Sequence, residues 1–184
     1  MNKRYWHMMN LFFIKSPMKR AQYLKKHEVF KHIGDKVMIT SRKIPLYSRL
    51  ISIGDNVWIA SGVEFITHDV THFMLNNIDN RKEKFSEKVG CIEVGNNVFI
   101  GTGTKILYDV KIGDNVIIAA GSIVTKDIPS NSVIGGVPAK KICSFEDYIA
   151  KRRSYKRYYP PNNKQQEISE KCEKENWDRF FEER

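Results

Sequence analysis

Cysteine is scarce in this 184-residue chain, and its spacing argues against sites built from thiols. The three cysteines, Cys91, Cys143 and Cys172, are odd in number and lie far apart in the sequence. Disulfide frameworks and cysteine-based zinc sites normally show closely spaced pairs. We therefore expect reduced thiols, no metal site and a cytoplasmic location, because disulfides are rare in that compartment.

Long apolar runs are also lacking. The first fourteen residues, MNKRYWHMMNLFFI, place basic residues before a short apolar stretch, which contains Asn10 and continues into Lys15 without a small-residue cleavage site. A signal peptide needs such a site, and a membrane span needs about 20 apolar residues. The sequence therefore predicts neither of them, and it allows at most a peripheral membrane contact.

Acidic residues are too few to balance the basic ones, with 21 Asp and Glu against 31 Lys and Arg and a formal net charge of +10. This excess favours an anionic partner, and a nucleic acid, an anionic membrane or a phosphorylated small molecule would each fit. Basic and aromatic residues interleave in KRRSYKRYY, residues 151–159, a pattern that suits nucleic acid. The flank of a basic helix also explains this run.

What the chain does contain is a six-residue repeat. From Val94 to Pro129 an aliphatic residue recurs at every sixth position, namely 94, 100, 106, 112, 118 and 124. An earlier block starts at residue 33 and resumes at residue 53 after a break in PLYSRLIS. Hexapeptide repetition predicts a parallel β-helix, in which each repeat forms one strand and three repeats form a coil. Glycine, asparagine and aspartate between the strands would supply the corners, whereas simple alternation in a β-sandwich does not require them at a period of six.

Three segments fall outside the repeats, and they divide the predicted domain. Ser16-Pro17, followed by good helix formers, predicts a short helix within an N-terminal cap, residues 1–32. The β-helix would span residues 33–142, interrupted by a polar excursion at 67–90. An excursion of this length is usually functional or disordered. Residues 143–184 would form a C-terminal extension with two helices, the first capped by Ser144.

The run IGDNVIIAAGSIVTKDIPSNSVIGGVPAKKI, residues 112–142, resembles the signature of the left-handed β-helix acyltransferases. It is most similar to the sugar and xenobiotic O-acetyltransferases, and the resemblance covers about residues 16–150. It implies a left-handed β-helix, although most crossovers are right-handed. It also implies acetyl-CoA as co-substrate, a sugar or glycan hydroxyl as acceptor and a homotrimer. The basic tip of the excursion, residues 81–84, would reach the neighbouring chain.

Two histidines, His68 and His72, lie at the start of the excursion. Transfer of an acyl group from a thioester to a hydroxyl needs a base that titrates near neutral pH, and imidazole fits this need best. In the resembling family, one histidine of this loop is that base. Thr67-His68-Asp69 fits the capsular-type members, whereas the longer count of the xenobiotic enzymes leads to His72. The resemblance therefore favours His68 as the base and keeps His72 as the second candidate.

The same resemblance indicates where acetyl-CoA would bind. Thr102 and Ala120 match positions whose backbone contacts the pantetheine arm, although small residues are also what tight coils require. Thr125 and Lys126 match a pair nearer the nucleotide, and Lys140 matches a basic position near the phosphates. For the lysines, the simpler interpretation is a solvent-facing surface.

Several different functions fit parts of the sequence. The spacing of His68 and His72 suits two zinc ligands of a gamma-type carbonic anhydrase, but that enzyme takes a third histidine from a separate coil, and no histidine follows His72. The repeats or the basic charge would also suit a xenobiotic acetyltransferase, a basic nucleic-acid-binding protein or a noncatalytic β-helix scaffold. We predict an acetyl-CoA-dependent O-acetyltransferase that modifies a polysaccharide or lipopolysaccharide precursor, with no metal and no nucleic-acid partner.

Overall fold

The computed structural model describes residues 3–78, 84–154 and 168–182. It divides into a large unit, Met1–Lys151, and a small unit, Arg152–Arg184. None of the helices in the described ranges is long and apolar enough to cross a membrane. The residues that carry the predicted chemistry all belong to the large unit.

The large unit is built around a parallel β-helix with three faces, and the predicted fold class is confirmed. Face A contains, in order, β1 His32–Ile33, β3 Ile51–Ile53, β8 Ile92–Val94 and β11 Val110–Ile112. Face B contains β2 Met38–Ile39, β4 Val57–Ile59, β9 Val98–Ile100, β12 Val116–Ile118 and β14 Ser132–Gly135, followed by the antiparallel strand β15 Lys140–Ser144. Face C contains β5 Glu64–Ile66, β10 Lys105–Leu107 and β13 Ile123–Val124. Three sheets of short parallel strands are the arrangement typical of left-handed β-helices.

The interior of the helix is a stack of aliphatic side chains. All six residues of the predicted repeat are at most 2% exposed: Val94, Ile100, Ile106, Ile112, Ile118 and Val124. Strand β9 shows how the repeat works, because Val98 and Ile100 point inward while Phe99 between them is 44% exposed. Burying each such side chain contributes roughly 1.5–3 kcal/mol, so the stack is the main source of stability.

A column of asparagines forms the corner between faces A and B. Asn56, Asn97, Asn115 and Asn131 all have a positive φ, between 53° and 59°. The side-chain amides of the first three each donate to the amide oxygen of the next asparagine at 2.9–3.0 Å. Asparagine tolerates the left-handed backbone better than most residues, and here its side chain also links successive coils. The predicted role of asparagine in the corners is thus confirmed.

Two helices cover the first coil. The predicted helix is α2, Pro17–Lys26, with Ser16 as its N-cap accepting a hydrogen bond from the Lys19 amide at 3.4 Å. A further helix, α1 Lys3–Phe13, precedes it and was not predicted. Arg20 of α2 is 2% exposed and donates to the carbonyls of Ile39 and of the linker between the two helices. This guanidinium therefore ties both helices to the first coil.

The excursion has more structure than the sequence indicated. Strand β6 His68–Asp69 pairs antiparallel with β7 Lys88–Val89, and helix α3 Thr71–Asn76 follows β6. At its base, the amide of Gly90 donates to the carbonyl of Thr67 at 2.9 Å. The chain therefore leaves and re-enters the β-helix at one point. Most of the predicted basic tip, residues 81–83, lies outside the described residues.

After β14 the chain reverses at Gly136, whose φ is +96°, and returns as β15. Ser144 caps helix α4, Phe145–Arg153, since its hydroxyl oxygen accepts a hydrogen bond from the Asp147 amide at 3.0 Å. A short 3-10 helix, Ser48–Leu50, precedes β3. The small unit contains α5, Glu170–Glu182. Residues 155–159 of the basic-aromatic run lie outside the described residues.

Candidate active site

His68 and Lys126 lie along the same edge of the β-helix. Pairing on face C places Phe65, Ile106 and Val124 in one row. Lys126 lies two residues and His68 three residues beyond that row, at the junction of faces C and A, which we call the CA edge. Two strand spacings of about 4.8 Å separate their coils, so the histidine and the lysine are about 10 Å apart along the helix axis.

Thr102 and Ala120 lie on the opposite side of face C, at the junction of faces B and C, which we call the BC edge. Both residues are exposed, and Thr102 accepts a hydrogen bond from the amide of Gly121 at 2.8 Å. Neither Thr102 nor Ala120 donates its own amide hydrogen to another described residue. Lys140 pairs with Gly135, at the end of face B on this same edge. The structure therefore divides the predicted cofactor residues, with Thr102, Ala120 and Lys140 on one edge and Thr125 and Lys126 on the other.

The BC edge has room for an extended ligand against its backbone. Gly103 and Gly121 follow Thr102 and Ala120, with φ of 73° and 71°. A Cβ added at either glycine would meet no atom within 4 Å. Exposed backbone without side chains in front of it suits the amide-bearing pantetheine arm of coenzyme A, so the residues present fit that group.

His68 is held on the CA edge by its backbone and by one ring contact. Its strand β6 pairs with β7, and its ring packs against Tyr47 with centroids 5.4 Å apart in an edge-to-face arrangement. Tyr47 donates its hydroxyl hydrogen to Glu87 at 3.0 Å, and this hydrogen bond raises the pKa of Tyr47. The Nδ1 atom of His68 is buried and has no hydrogen-bond partner in the described part of the chain.

Asp69 contributes to the fold of the excursion and makes no hydrogen bond to His68. One carboxylate oxygen accepts hydrogen bonds from the amide and hydroxyl of Thr71, at 3.2 and 2.7 Å. The other accepts from the hydroxyl of Tyr108 at 2.7 Å. The hydrogen bonds from Thr71 and Tyr108 hold the pKa of Asp69 below its ordinary value. The ammonium group of Lys88 lies 4.7 Å from the centre of the Tyr108 ring, so two residues of the excursion contact this tyrosine.

His72 lies on α3, the helix that follows the strand of His68. Its ring packs against Phe73 with centroids 4.2 Å apart, and its Nδ1 atom is also buried without a described partner. His68 lines a cavity of about 470 Å³. Its position at this cavity wall is the observation that favours His68 as the candidate base.

The cavity lies where the first coil crosses face C without forming a strand. Residues 41–45 pass beside β5 without joining its sheet. The charged and polar lining residues are Arg4, Ser41, Arg42, Lys43, Glu64 and His68. A second open cavity of about 660 Å³ lies beside it, and Arg4, Tyr47 and Glu87 are among its lining residues. Sequence reasoning found the break at PLYSRLIS but not these residues, because cationic side chains in a loop carry no periodic signal.

Known proteins share the hexapeptide repeat described above. The family model "Bacterial transferase hexapeptide (six repeats)" matches residues 92–126. Protein CapG of Staphylococcus aureus is 51% identical over 102 residues, which is 55% of this chain and 57% of CapG. Galactoside O-acetyltransferase of Escherichia coli (strain K12) is 46% identical over 118 residues, 63% of this chain and 55% of that enzyme. Putative acetyltransferase SAR2635 of S. aureus (strain MRSA252) is 36% identical over 140 residues, 66% of this chain and 69% of that protein.

The chain belongs to the hexapeptide-repeat acetyltransferase family. It nevertheless spans only a little over half the length of two curated relatives that it matches, CapG and galactoside O-acetyltransferase. Among solved structures, a galactoside acetyltransferase in complex with coenzyme A has a TM-score of 0.57 and 28% identity. That match covers 88% of this chain and 84% of the solved chain. No group of three potential metal-binding side chains occurs in the ranges that the structure describes.

Proposed function

We propose that this protein is an acetyl-CoA-dependent O-acetyltransferase that acts on a hydroxyl of a sugar or glycan precursor in the cytoplasm. The observation that carries the proposal is His68, which lies on the wall of a cavity large enough for a small-molecule acceptor. Galactoside O-acetyltransferase, named above, supports both the acyl group and the acceptor class. We further propose that the acceptor belongs to polysaccharide or lipopolysaccharide biosynthesis.

In the proposed mechanism, His68 takes the proton of the acceptor hydroxyl while the hydroxyl oxygen attacks the thioester carbonyl. Nδ1 is the buried ring nitrogen, so Nε2 is the atom that would face the acceptor. When the carbon–sulfur bond breaks, the imidazolium returns the proton to the departing sulfur. A backbone amide of a neighbouring coil would stabilise the oxyanion that forms between these steps. Transfer would be direct, with no acyl-enzyme.

The donor would bind along the BC edge. Its pantetheine arm would pair with backbone at Thr102 and Ala120, whose amide hydrogens are not used within the described chain. Lys140 on this edge, and Thr125 and Lys126 on the CA edge, would hold the nucleotide and its phosphates through charge-assisted contacts.

The division of these residues between two edges supports a homotrimer. Face C, whose strands are two or three residues long, separates the edges by about 10 Å. If face C of each chain points toward a threefold axis, the BC edge of one chain meets the CA edge of the next. Donor contacts from one chain would then lie beside the histidine of its neighbour.

The function is tested with His68→Ala, using acetyl-CoA and a panel of sugar acceptors and measuring release of free thiol. We expect turnover to fall by about 10²–10⁴-fold, the usual contribution of a positioned base. The dissociation constant for acetyl-CoA should stay nearly unchanged, because the donor contacts are elsewhere.

His72→Ala is the matched control, and it should act mainly on the Michaelis constant of the acceptor. Loss of turnover in His72→Ala with an active His68→Ala would assign the base to His72. If the unmodified protein released no thiol with any acceptor, the protein would instead be a scaffold or a binding protein.

A further inference from the structure

The cavity beside His68 has an apolar floor and a cationic rim. Its floor is formed by buried side chains that include Phe30, Ile39 and Ile44. Three of its rim residues, Arg4, Arg42 and Lys43, are basic, whereas Glu64 is its acidic lining residue. The lining of this cavity therefore carries an excess of positive charge before any ligand is considered.

The carboxylates near the cavity already have partners. Glu64 forms an ion pair with Lys105, with 3.5 Å between the charged atoms. Glu87, in the adjoining cavity, accepts the hydroxyl hydrogen of Tyr47. Arg42 and Lys43, by contrast, form no ion pair with any residue in the described ranges. The two cations are thus the charged groups at this rim that remain for a ligand.

The charge of Arg42 also extends toward the first coil. Burial lowers the pKa of Arg20, and repulsion from Arg42 lowers it further. Arg20 donates from Nε and Nη1 to the backbone carbonyls of Ile39, Ile14 and Lys15, none of which carries a negative charge. The guanidinium groups of Arg20 and Arg42 therefore repel each other, and an anion bound beside Arg42 in the cavity would offset part of that repulsion.

We propose that the acceptor is anionic, and that Arg42 and Lys43 bind its carboxylate or phosphate oxygens while its hydroxyl faces His68. This inference rests on the proposed acetyl transfer and specifies the substrate class of the same site. Arg42 offers a planar set of donors that suits either oxyanion, and Lys43 adds a point charge. The volume of about 470 Å³ is within the range of small-molecule sites, roughly 300–1,000 Å³. The predicted contacts for the donor phosphates lie on later coils, so the two anionic groups would not compete.

The experiment compares three acceptors with the same ring, a neutral methyl hexoside, the matching hexuronate and the matching hexose phosphate. Each is supplied to the full-length protein with acetyl-CoA, and thiol release gives kcat/KM. We expect the charged acceptors to exceed the neutral one by about tenfold or more, since one charge-assisted contact supplies that difference. The ratio of kcat/KM for the hexuronate to kcat/KM for the hexose phosphate identifies which anion the site prefers.

The double variant Arg42→Gln/Lys43→Gln should abolish this preference, so that the ratio of charged to neutral acceptor falls toward one. Lys19→Gln/Lys26→Gln removes the same charge from exposed positions of α2 outside the cavity, and it should keep the ratio of the unmodified protein. Equal kcat/KM for neutral and charged acceptors would overturn the inference but leave the acetyltransferase intact. If no thiol is released, saturation-transfer NMR can detect binding of the three acceptors directly and so test the anion site separately. A hexuronate or phosphate signal that is unchanged in the double variant would overturn the inference there as well.

Discussion

The hydroxyl of a single residue, Tyr108, joins the excursion to the next coil by a hydrogen bond. It donates to Asp69 at 2.7 Å, and Asp69 is the neighbour of His68 in β6. We expect Tyr108→Phe to lower kcat by roughly three- to tenfold, because one hydrogen bond of about 1 kcal/mol no longer fixes the backbone of the base. The Michaelis constant for acetyl-CoA should stay unchanged. An unchanged kcat in Tyr108→Phe would show that this tyrosine does not position the histidine.

The same variant should also shift the response to acid. The pKa of Asp69 is depressed in the folded protein, so its contribution to stability is present above its ordinary pKa of about 3.9 and is lost as the pH falls through the lower folded value. Removal of the Tyr108 hydroxyl raises the folded pKa toward the ordinary value. Asp69→Asn should therefore change the pH dependence of the free energy of unfolding less in a Tyr108→Phe background than in the unmodified protein. Urea denaturation at stepwise lower pH measures both differences.

Within a single structural element, the asparagine column combines a left-handed backbone conformation with side-chain hydrogen bonds between successive coils. Asn97→Ala removes two side-chain hydrogen bonds and leaves a residue with a Cβ at φ 55°. We expect a loss of about 1–3 kcal/mol in the free energy of unfolding, measured by urea denaturation. Asn97→Gly is the matched comparison, since it loses the same hydrogen bonds but accepts the backbone conformation. A glycine variant that is no more stable than the alanine variant would show that backbone strain is not part of the cost.

The elements that could be predicted from the sequence are those whose partners lie a fixed distance away in the chain. Ile100 and Ile118 are buried because each coil repeats the one before it, so a local period reports a long-range contact. Helix α1 and strand β6 lack that property. The helix depends on the burial of Leu11, and β6 depends on its pairing with β7 across the excursion. Both histidines lie in this non-repeating excursion, so the sequence predicted the base only as one of two candidates. The cationic rim of the cavity, which lies in another non-repeating segment, was not predicted.

At the scale of the whole molecule, the proposed trimer requires two chains to complete one site. Light scattering at working concentration should give three times the mass of the 21.5 kDa chain. A sharper measurement mixes two inactive variants, His68→Ala on the CA edge and Ala120→Trp on the BC edge. After joint refolding, some mixed trimers contain one interface with neither change, so activity should return.

Each variant refolded alone controls for residual activity. A monomer by light scattering, or mixed trimers as inactive as their parents, would contradict a site shared between chains. Reassembly of the mixture can be checked independently by a mass difference between the two chains.

The hydrogen bond between Gly90 and Thr67 closes the excursion at its base, where the chain leaves and rejoins the β-helix. The length of the segment between those two residues has little effect on the stability of the coils, since the entropy of closing a loop grows only slowly with its length. Mutation can therefore lengthen, shorten or rewrite it without disturbing the inner stack that stabilises the protein. His68 and Asp69 stay fixed at the base of the segment through β7 and Tyr108, whereas the sequence between α3 and β7 can change with the acceptor.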